Sequence, residues 1–168
     1  MQLTLFTDYA LRTLLYLGAH PDEVVPASRV SAAYGISLDH TVKAAKRLTQ
    51  LGYVTSVRGQ GGGLKLARAP QAIGLGALVR ELEQLNLLEC FDPPTNTCRI
   101  SPACRLKDAL YLARSAFLAA LDEHTLADLL RNTPQLIQLL PKRERNADRP
   151  AVRTAAKRRR SPARLGSR

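Results

Sequence analysis

The 168-residue chain lacks the segments that carry proteins into or across membranes. No apolar run reaches the ~18 to 20 residues of a membrane-spanning helix. Its first residues, Met1–Asp8, have neither the basic start nor the long apolar stretch of a signal peptide. We therefore expect a cytoplasmic protein with no membrane partner.

Cysteine is scarce and odd in number. The three cysteines, Cys90, Cys98 and Cys104, all lie within fifteen residues. A disulfide framework fits poorly with an odd count in a reducing compartment. The tight Cys-x-x-Cys pair that most zinc sites contain is also missing. An iron–sulfur site, a redox switch and three idle thiols remain as alternatives.

The residue patterns of an enzyme active site are missing as well. The sequence offers no nucleophile–base pair and no pair of carboxylates in a recognisable setting. The glycines of Gly61–Gly63 lack the lysine and the strand-then-helix context of a phosphate-binding loop. We therefore do not expect an enzyme.

Positive charge is abundant and unevenly distributed. The net charge is +11, of which residues 142–168 carry +9, from eleven Lys or Arg and two acids. Residues 141–168 have almost no large apolar residues, and this tail is predicted to be disordered. Within the rest of the chain, residues 29–68 hold seven bases and one acid, Asp39. Both basic features favour a polyanionic partner.

Residues 1–70 show the element order of a winged helix-turn-helix. Helical periodicity and capping residues predict helices over residues 3–19, 28–34 and 38–51, the last two capped by Ser28 and Ser37. Strands are predicted over residues 53–57 and 64–67, around a glycine-rich turn at residues 58–63. The predicted class is mainly α, with a small β-hairpin as the wing.

Residues 71–140 are predicted to form a second, helical unit. It contains a helix over residues 75–85, a loop over 86–100, a long helix over 103–124 and a short helical segment over 125–140. The apolar surface of the long helix is wider than a lone surface helix needs. The residues that widen it are Ala109, Leu112, Ala116 and Ala120. A second chain packed there would explain the width, so we expect a homodimer that uses this helix.

The third helix divides into an apolar and a polar face. Leu38, Val42, Ala45 and Leu48 form the face expected to pack on the domain. The opposite face is expected to meet base edges and phosphates of double-stranded DNA. The residues predicted to contact DNA from this helix, its surroundings and the wing are Ser28, Ser37, His40, Lys43, Lys46, Arg47, Arg58, Gly59 and Gln60. The alternative is a solvated helix followed by an ordinary hairpin.

Asp39 is the one acid in this basic segment, and two interpretations stay open. An acid in the first turn of a helix is stabilised by the helix dipole. It would also accept a hydrogen bond from cytosine N4 in the major groove.

The cysteine spacing is compatible with an iron–sulfur cluster. Seven residues separate Cys90 from Cys98, and five separate Cys98 from Cys104. Thiolates bind iron tightly, and wide spacing in a loop suits a larger, cube-like cluster. Three cysteines cannot complete a four-iron cluster, so a fourth ligand must come from elsewhere.

Several motifs together resemble the Rrf-type winged-helix regulators, and most of all their nitric-oxide-sensing repressors. The motifs are Phe6–Arg12, Gln50–Val54, Val57–Gly59, Gly62–Gly63 and Cys98–Lys107. The resemblance covers about residues 1–133. It implies a homodimer crossed through the long helix, an operator as DNA partner, and repression of nitric-oxide detoxification genes that nitric oxide relieves.

The resemblance also implies the ligands of the cluster. A 4Fe–4S cluster would sit on the three cysteines, and Asp8 of the partner subunit would be its fourth ligand. Arg12 matches an arginine expected to hold that carboxylate by a charge-assisted hydrogen bond. Another iron–sulfur regulator of the family has a histidine three residues after its last cysteine, where this chain has Lys107. Lysine cannot serve as a ligand while it is protonated.

The chain departs from the family pattern at two places. The first cysteine gap is seven residues where the family usually has five, and Leu38-Asp39 replaces the Arg and Asn of many relatives. A regulator of the same fold that senses by thiol oxidation or a 2Fe–2S cluster is one alternative. A nucleic-acid-binding scaffold that relies on the basic tail, with incidental cysteines, is another.

Overall fold

The computed structural model describes residues 2–140, so the predicted disordered tail lies outside the described residues. The helices and strands, in chain order, are α1 Leu5–Gly18, α2 Ala27–Tyr34, α3 Leu38–Gln50, β1 Val54–Val57, β2 Gly63–Leu66, α4 Leu75–Leu82, α5 Arg105–Asp122, α6 Leu126–Leu129 and α7 Thr133–Leu139. This order confirms the predicted mainly α class with a β-hairpin wing. Over residues 2–140, none of the helices is both long and apolar enough to cross a membrane.

Helix α1 forms the centre of the N-terminal half of the described residues. Thr4 caps it by accepting a hydrogen bond from the Thr7 backbone N–H at 3.3 Å. Leu14 and Leu17 repeat at helical spacing and are fully buried beside residues of α2 and α3. Each buried leucine contributes about 1.5 to 3 kcal/mol. α1 is therefore the helix on which α2 and α3 are positioned.

Helix α3 buries a different face from the predicted one. Its buried residues are Thr41, Ala44, Ala45 and Leu48. The prediction was correct for Ala45 and Leu48 but wrong for Leu38 and Val42, which are 46% and 48% exposed. Thr41 is buried without cost because its hydroxyl donates to the Ser37 carbonyl at 2.9 Å. Because most side chains on the buried face are small, α3 approaches the core closely. The larger side chains of Leu38 and Val42 lie on the exposed side.

The start of α2 also differs from the prediction, which made Ser28 its cap. Pro26 occupies the N-cap position, and Ser28 is the second residue of the helix. The helix begins earlier because Val25, just before Pro26, is fixed by backbone hydrogen bonds to Leu64. Ser37 does occupy the N-cap position of α3, but its side chain makes no capping hydrogen bond.

The wing is a two-stranded antiparallel hairpin joined to the core. Val54 pairs with Leu66 and Val57 pairs with Gly63 across β1 and β2. Val25 adds a bridge, because its N–H donates to the Leu64 carbonyl at 3.0 Å and its carbonyl accepts from the Leu64 N–H at 2.8 Å. The hairpin is therefore attached to the segment that connects α1 and α2.

Gly63→Ala is expected to destabilise the fold by about 3 kcal/mol. A Cβ at this position would lie 2.6 Å from the backbone carbonyl carbon of Val25, and backbone cannot move aside as a side chain can. Gly74→Ala is the matched control, since a Cβ there meets nothing within 4 Å. The control should cost less than about 1 kcal/mol. Urea denaturation of both variants checks this, and equal midpoints would contradict the expectation.

Helix α5 lies against α4 and exposes most of its surface. Arg80 of α4 donates to both carboxylate oxygens of Asp122 at 2.6 Å each. No residue of α5 is buried, and Leu112 is 71% exposed. The outer face of α5, as we call it, consists of exposed apolar residues: Leu106, Ala109, Leu112, Ala116 and Ala120. In a single chain this face has no covering partner among residues 2–140.

The predicted start of α5 needs a correction. The long helix was predicted to begin at residue 103, but Ser101–Ala103 forms a short 3-10 turn. Cys104 then takes an extended conformation as the N-cap residue, and α5 begins at Arg105. The last cysteine therefore lies just before the helix and not in its first turn.

Candidate DNA-reading surface and cysteine loop

The solvent-facing side of α3 carries polar and charged residues in one arc. Asp39, Lys43, Lys46 and Gln50 are all exposed, and helical geometry places them within about 60° of one another around the axis. We call this set the reading arc. Leu38 and Val42 flank it on one side, and His40 and Arg47 flank it on the other.

Two of the predicted DNA-contacting residues also touch the body of the protein. The His40 ring stacks on Tyr9 of α1, with centroids 5.8 Å apart and planes 26° from parallel. Arg47 Nη2 donates to the backbone carbonyl of Glu81, in α4, at 3.3 Å. Helix α3 is therefore in contact with α1 and α4 along the same flank. Sequence reasoning missed Tyr9, because aromatic contacts between helices leave no local pattern.

Two bases of the positive segment have structural partners. Arg68 donates to the carbonyls of Leu51 and Gly52 at 2.9 Å each, which satisfies the C-terminal end of α3. Arg29 donates to the Tyr16 hydroxyl at 3.1 Å and pairs with Glu23. The hydrogen bond from Arg29 lowers the pKa of the Glu23 carboxyl. Charge counting alone could not separate these bases from those predicted to face DNA.

The wing tip is an open turn. Gly59 and Gly61 have φ values of 102° and 79°, which side chains rarely adopt, so glycine is needed there. The residues predicted to contact DNA are exposed at every position: Ser28, Ser37, His40, Lys43, Lys46, Arg47, Arg58, Gly59 and Gln60. Their contact with DNA stays a prediction.

Asp8 lies in the first turn of α1 and is held by Arg12 one turn later. Arg12 Nε donates to Oδ1 at 2.9 Å, and Nη2 lies 2.9 Å from Oδ2. The side chains of Asp8 and Arg12 are 38% and 40% exposed. The carboxylate is therefore oriented by a two-point hydrogen bond and still open to a further ligand.

The three cysteines are free thiols in different environments. Cys90 is 6% exposed, in a short 3-10 turn, Glu89–Phe91. Cys98 is half-buried, and its backbone N–H donates to Asn96 Oδ1 at 3.1 Å. Cys104 is half-buried at the N-terminus of α5. All three lie on or beside one loop, between α4 and α5.

Arg114 of α5 contacts residues at the start of this loop. Its guanidinium carbon lies 4.8 Å from the ring centroids of both Phe91 and Tyr111. Its Nη1 also donates to the Leu85 carbonyl at 3.3 Å. Phe91 follows Cys90 directly, so these contacts hold the first cysteine against α5. Sequence reasoning missed Arg114, because an arginine on an amphipathic helix is ordinary.

The donor set suits an iron–sulfur cluster chemically, although one chain does not preassemble it. Free thiols and a carboxylate are ligands that iron accepts, and soft thiolates favour such clusters. Within residues 2–140, however, no three His, Cys, Asp or Glu side chains lie close enough together to hold a metal ion. Binding a cluster would therefore require the loop to bring its ligands closer together.

Comparison with known proteins identifies the family. Residues 3–132 match Rrf2, described as iron-dependent transcriptional regulators. The chain is 45% identical to the HTH-type transcriptional regulator NsrR of Halalkalibacterium halodurans over 142 residues, which cover 83% of this chain and 97% of that protein. It is 44% identical to NsrR of Bacillus subtilis over 146 residues, covering 86% and 100% of the two chains.

A solved structure, that of T. potens IscR, superposes with a TM-score of 0.64 at 24% identity, over 79% of this chain and 88% of that one. That likeness concerns the fold. The winged helix-turn-helix, the exposed basic recognition helix and the sequence match agree, and the chain belongs to the Rrf2 family of DNA-binding transcriptional regulators.

Proposed function

We propose that this protein is a homodimeric repressor that senses nitric oxide through an iron–sulfur cluster of the 4Fe–4S type. Its ligands would be Cys90, Cys98, Cys104 and, from the partner subunit, Asp8. The proposal is supported by two separate observations: three free thiols lie on or beside one loop, and the Asp8 carboxylate is oriented by Arg12 while remaining 38% exposed. The similarity to NsrR proteins supports it. Because such a repressor acts on chromosomal DNA, we expect it in the cytoplasm.

Operator binding would use one reading arc from each subunit. Lys43, Lys46 and the wing residue Arg58 are exposed bases that neutralise phosphates, which favours binding to any duplex. Sequence preference would come from side chains of α3 that reach base edges in the major groove. Two such helices related by a twofold axis would read a palindrome.

The outer face of α5 supports the homodimer. Leu106 is 60% exposed and Leu112 is 71% exposed, and alanines surround them. Alanines let two helix backbones approach closely, and the leucines supply apolar area to bury. An 18-residue helix with no buried residue is well explained by a second copy that covers it.

Signalling would depend on how firmly Asp8 is bound. When present, the cluster supplies iron that reacts with nitric oxide. A carboxylate is a harder and weaker ligand than a thiolate, so Asp8 would be the least tightly held of the four. Arg12 would orient the same carboxylate with two hydrogen bonds. Tyr9, next to Asp8, stacks on His40, so displacement of the first turns of α1 would reach the recognition helix directly.

The full chain, purified without oxygen, tests this proposal. We expect a coloured protein with about four irons per chain. It should bind a duplex selected from a random library and release it when nitric oxide is added. A tenfold loss of affinity needs only ~1.4 kcal/mol. A colourless, iron-free protein that binds DNA equally well with and without nitric oxide would refute the proposed function.

Asp8→Ala is expected to shorten the lifetime of the cluster in air by at least about tenfold, which is the scale on which supporting groups affect metal sites. Asp22→Ala is the matched control, because Asp22 is an exposed carboxylate in the turn after α1. Decay of the visible absorbance measures both variants. Equal lifetimes in Asp8→Ala and Asp22→Ala would rule out Asp8 as a ligand.

A second candidate function is a redox regulator of the same fold that uses thiol oxidation or a 2Fe–2S cluster. The separate environments of the three free cysteines, with Cys98 and Cys104 half-exposed, favour it. Asp8→Ala would then have no effect, and iron counting would give two irons per chain or none. The same anaerobic sample therefore separates the two functions.

A further inference from the structure

The N-terminal half of α3 exposes two large apolar side chains that the core does not use. Leu38 and Val42 lie one helical turn apart and are 46% and 48% exposed, whereas the buried face consists of other residues. Each of them keeps about half of its surface exposed to solvent. They border the reading arc, on the flank opposite His40 and Arg47.

Asp39 lies within the reading arc and has no charged partner there. None of the ion pairs in residues 2–140 involves it. Phosphates repel a carboxylate, so an acid at this place weakens general attraction to DNA. The helix dipole explains why Asp39 is tolerated in the first turn of α3. It does not explain an acid on the face that meets the duplex.

The major groove offers a matching pair of groups. Carboxylates accept hydrogen bonds from cytosine N4, and apolar side chains contact the C5-methyl group of thymine. The N-terminal residues of a recognition helix are the ones that reach base edges. Cytosine N4 and the thymine methyl group both belong to pyrimidines. A carboxylate and apolar side chains lie next to each other at the start of α3.

We propose that the start of α3 reads neighbouring pyrimidines, with Asp39 accepting from cytosine N4 and Val42, assisted by Leu38, packing on a thymine methyl group. This specificity rests on the proposed operator binding by α3. Lys43 and Lys46 would supply affinity, while Asp39 and Val42 would select sequence.

Selection from a random duplex library, with the full chain purified anaerobically, tests the role of Asp39. The wild type should enrich cytosine at one position of each half-site. Asp39→Asn should shift that position towards adenine, because asparagine pairs with adenine N6 and N7. Discrimination should change by about 5- to 150-fold, the equivalent of 1 to 3 kcal/mol. Arg58→Ala is the control, and should weaken all duplexes without changing the preferred base.

The thymine contact has its own test. Replacing the thymine of the selected half-site with uracil removes only the methyl group. We expect the wild type to lose several-fold in affinity and Val42→Ala to lose almost nothing further on that exchange. Equal losses in the two proteins would overturn the role of Val42.

The outcomes separate this inference from the function it depends on. If the wild type enriches no sequence at all, operator binding itself fails. If it enriches a palindrome and Asp39→Asn keeps the same bases, or tightens every duplex equally, only pyrimidine reading by Asp39 fails.

Discussion

Leu112→Glu on α5 is expected to convert the proposed dimer into monomers and to lower operator affinity by about 10²- to 10⁴-fold. Leu112 is 71% exposed in the single chain and lies at the centre of the outer face of α5. A glutamate there would place two like charges in an apolar interface, one from each subunit, where neither has a partner. A monomer then reads one half-site and loses the gain that comes from binding two together.

Sedimentation measures the oligomeric state and fluorescence anisotropy measures DNA affinity. Leu112→Met is the matched control, because it nearly conserves volume and polarity and should remain dimeric. Leu112 is exposed in one chain, so the fold of the monomer should survive, and circular dichroism checks that it does. A Leu112→Glu protein that stays dimeric at micromolar concentration would show that α5 is not the interface.

Cys98→Ser is expected to remove the cluster from the purified protein. Losing a direct ligand should reduce iron retention by more than the ~10- to 100-fold that loss of a supporting hydrogen bond costs. A serine hydroxyl is not ionised near neutral pH, and it is a poor ligand for iron that prefers thiolate. Cys98 is half-buried in a loop, so this one-atom change should leave the fold intact.

Thr97→Ser provides the control in the neighbouring residue. It keeps the hydroxyl that donates to Glu89 Oε2 at 3.1 Å, and iron content should stay at the wild-type level. Iron and sulfide analysis of anaerobic samples measures both variants. Full iron occupancy in Cys98→Ser would eliminate Cys98 from the ligand set.

Periodic features of the sequence predicted the fold well. The order of three helices, hairpin and long helix follows from apolar spacing, glycine turns and caps, which are local properties. The second helix was predicted to end at residue 34 and does so, because Gly35 follows as its C-cap with a φ of 62°. The wide apolar surface predicted for α5 is present on its outer face, where the structure leaves it exposed.

The remaining features depend on contacts between residues far apart in the sequence, so local patterns did not predict them. The exposure of Leu38 and Val42 depends on how closely α3 approaches the core, which no spacing along α3 records. The early start of α2 follows from the bridge between Val25 and Leu64, which lie far apart in sequence. Arg114 and Tyr9 are recognised only through partners on other elements. The ligand set depends on a loop and a second chain, so it stays a proposal.

The bridge between Val25 and Leu64 has a mechanical consequence. It joins the wing to the segment between α1 and α2, while α3 packs on α1, so the wing and α3 share one support. In the proposed dimer, each subunit would present one such unit to DNA, made of a wing and an α3 on a shared support. Half-sites one turn of DNA apart require the two α3 helices to lie about 34 to 36 Å apart. A signal that shifts α1 would change the distance between the two α3 helices without changing the structure of either unit.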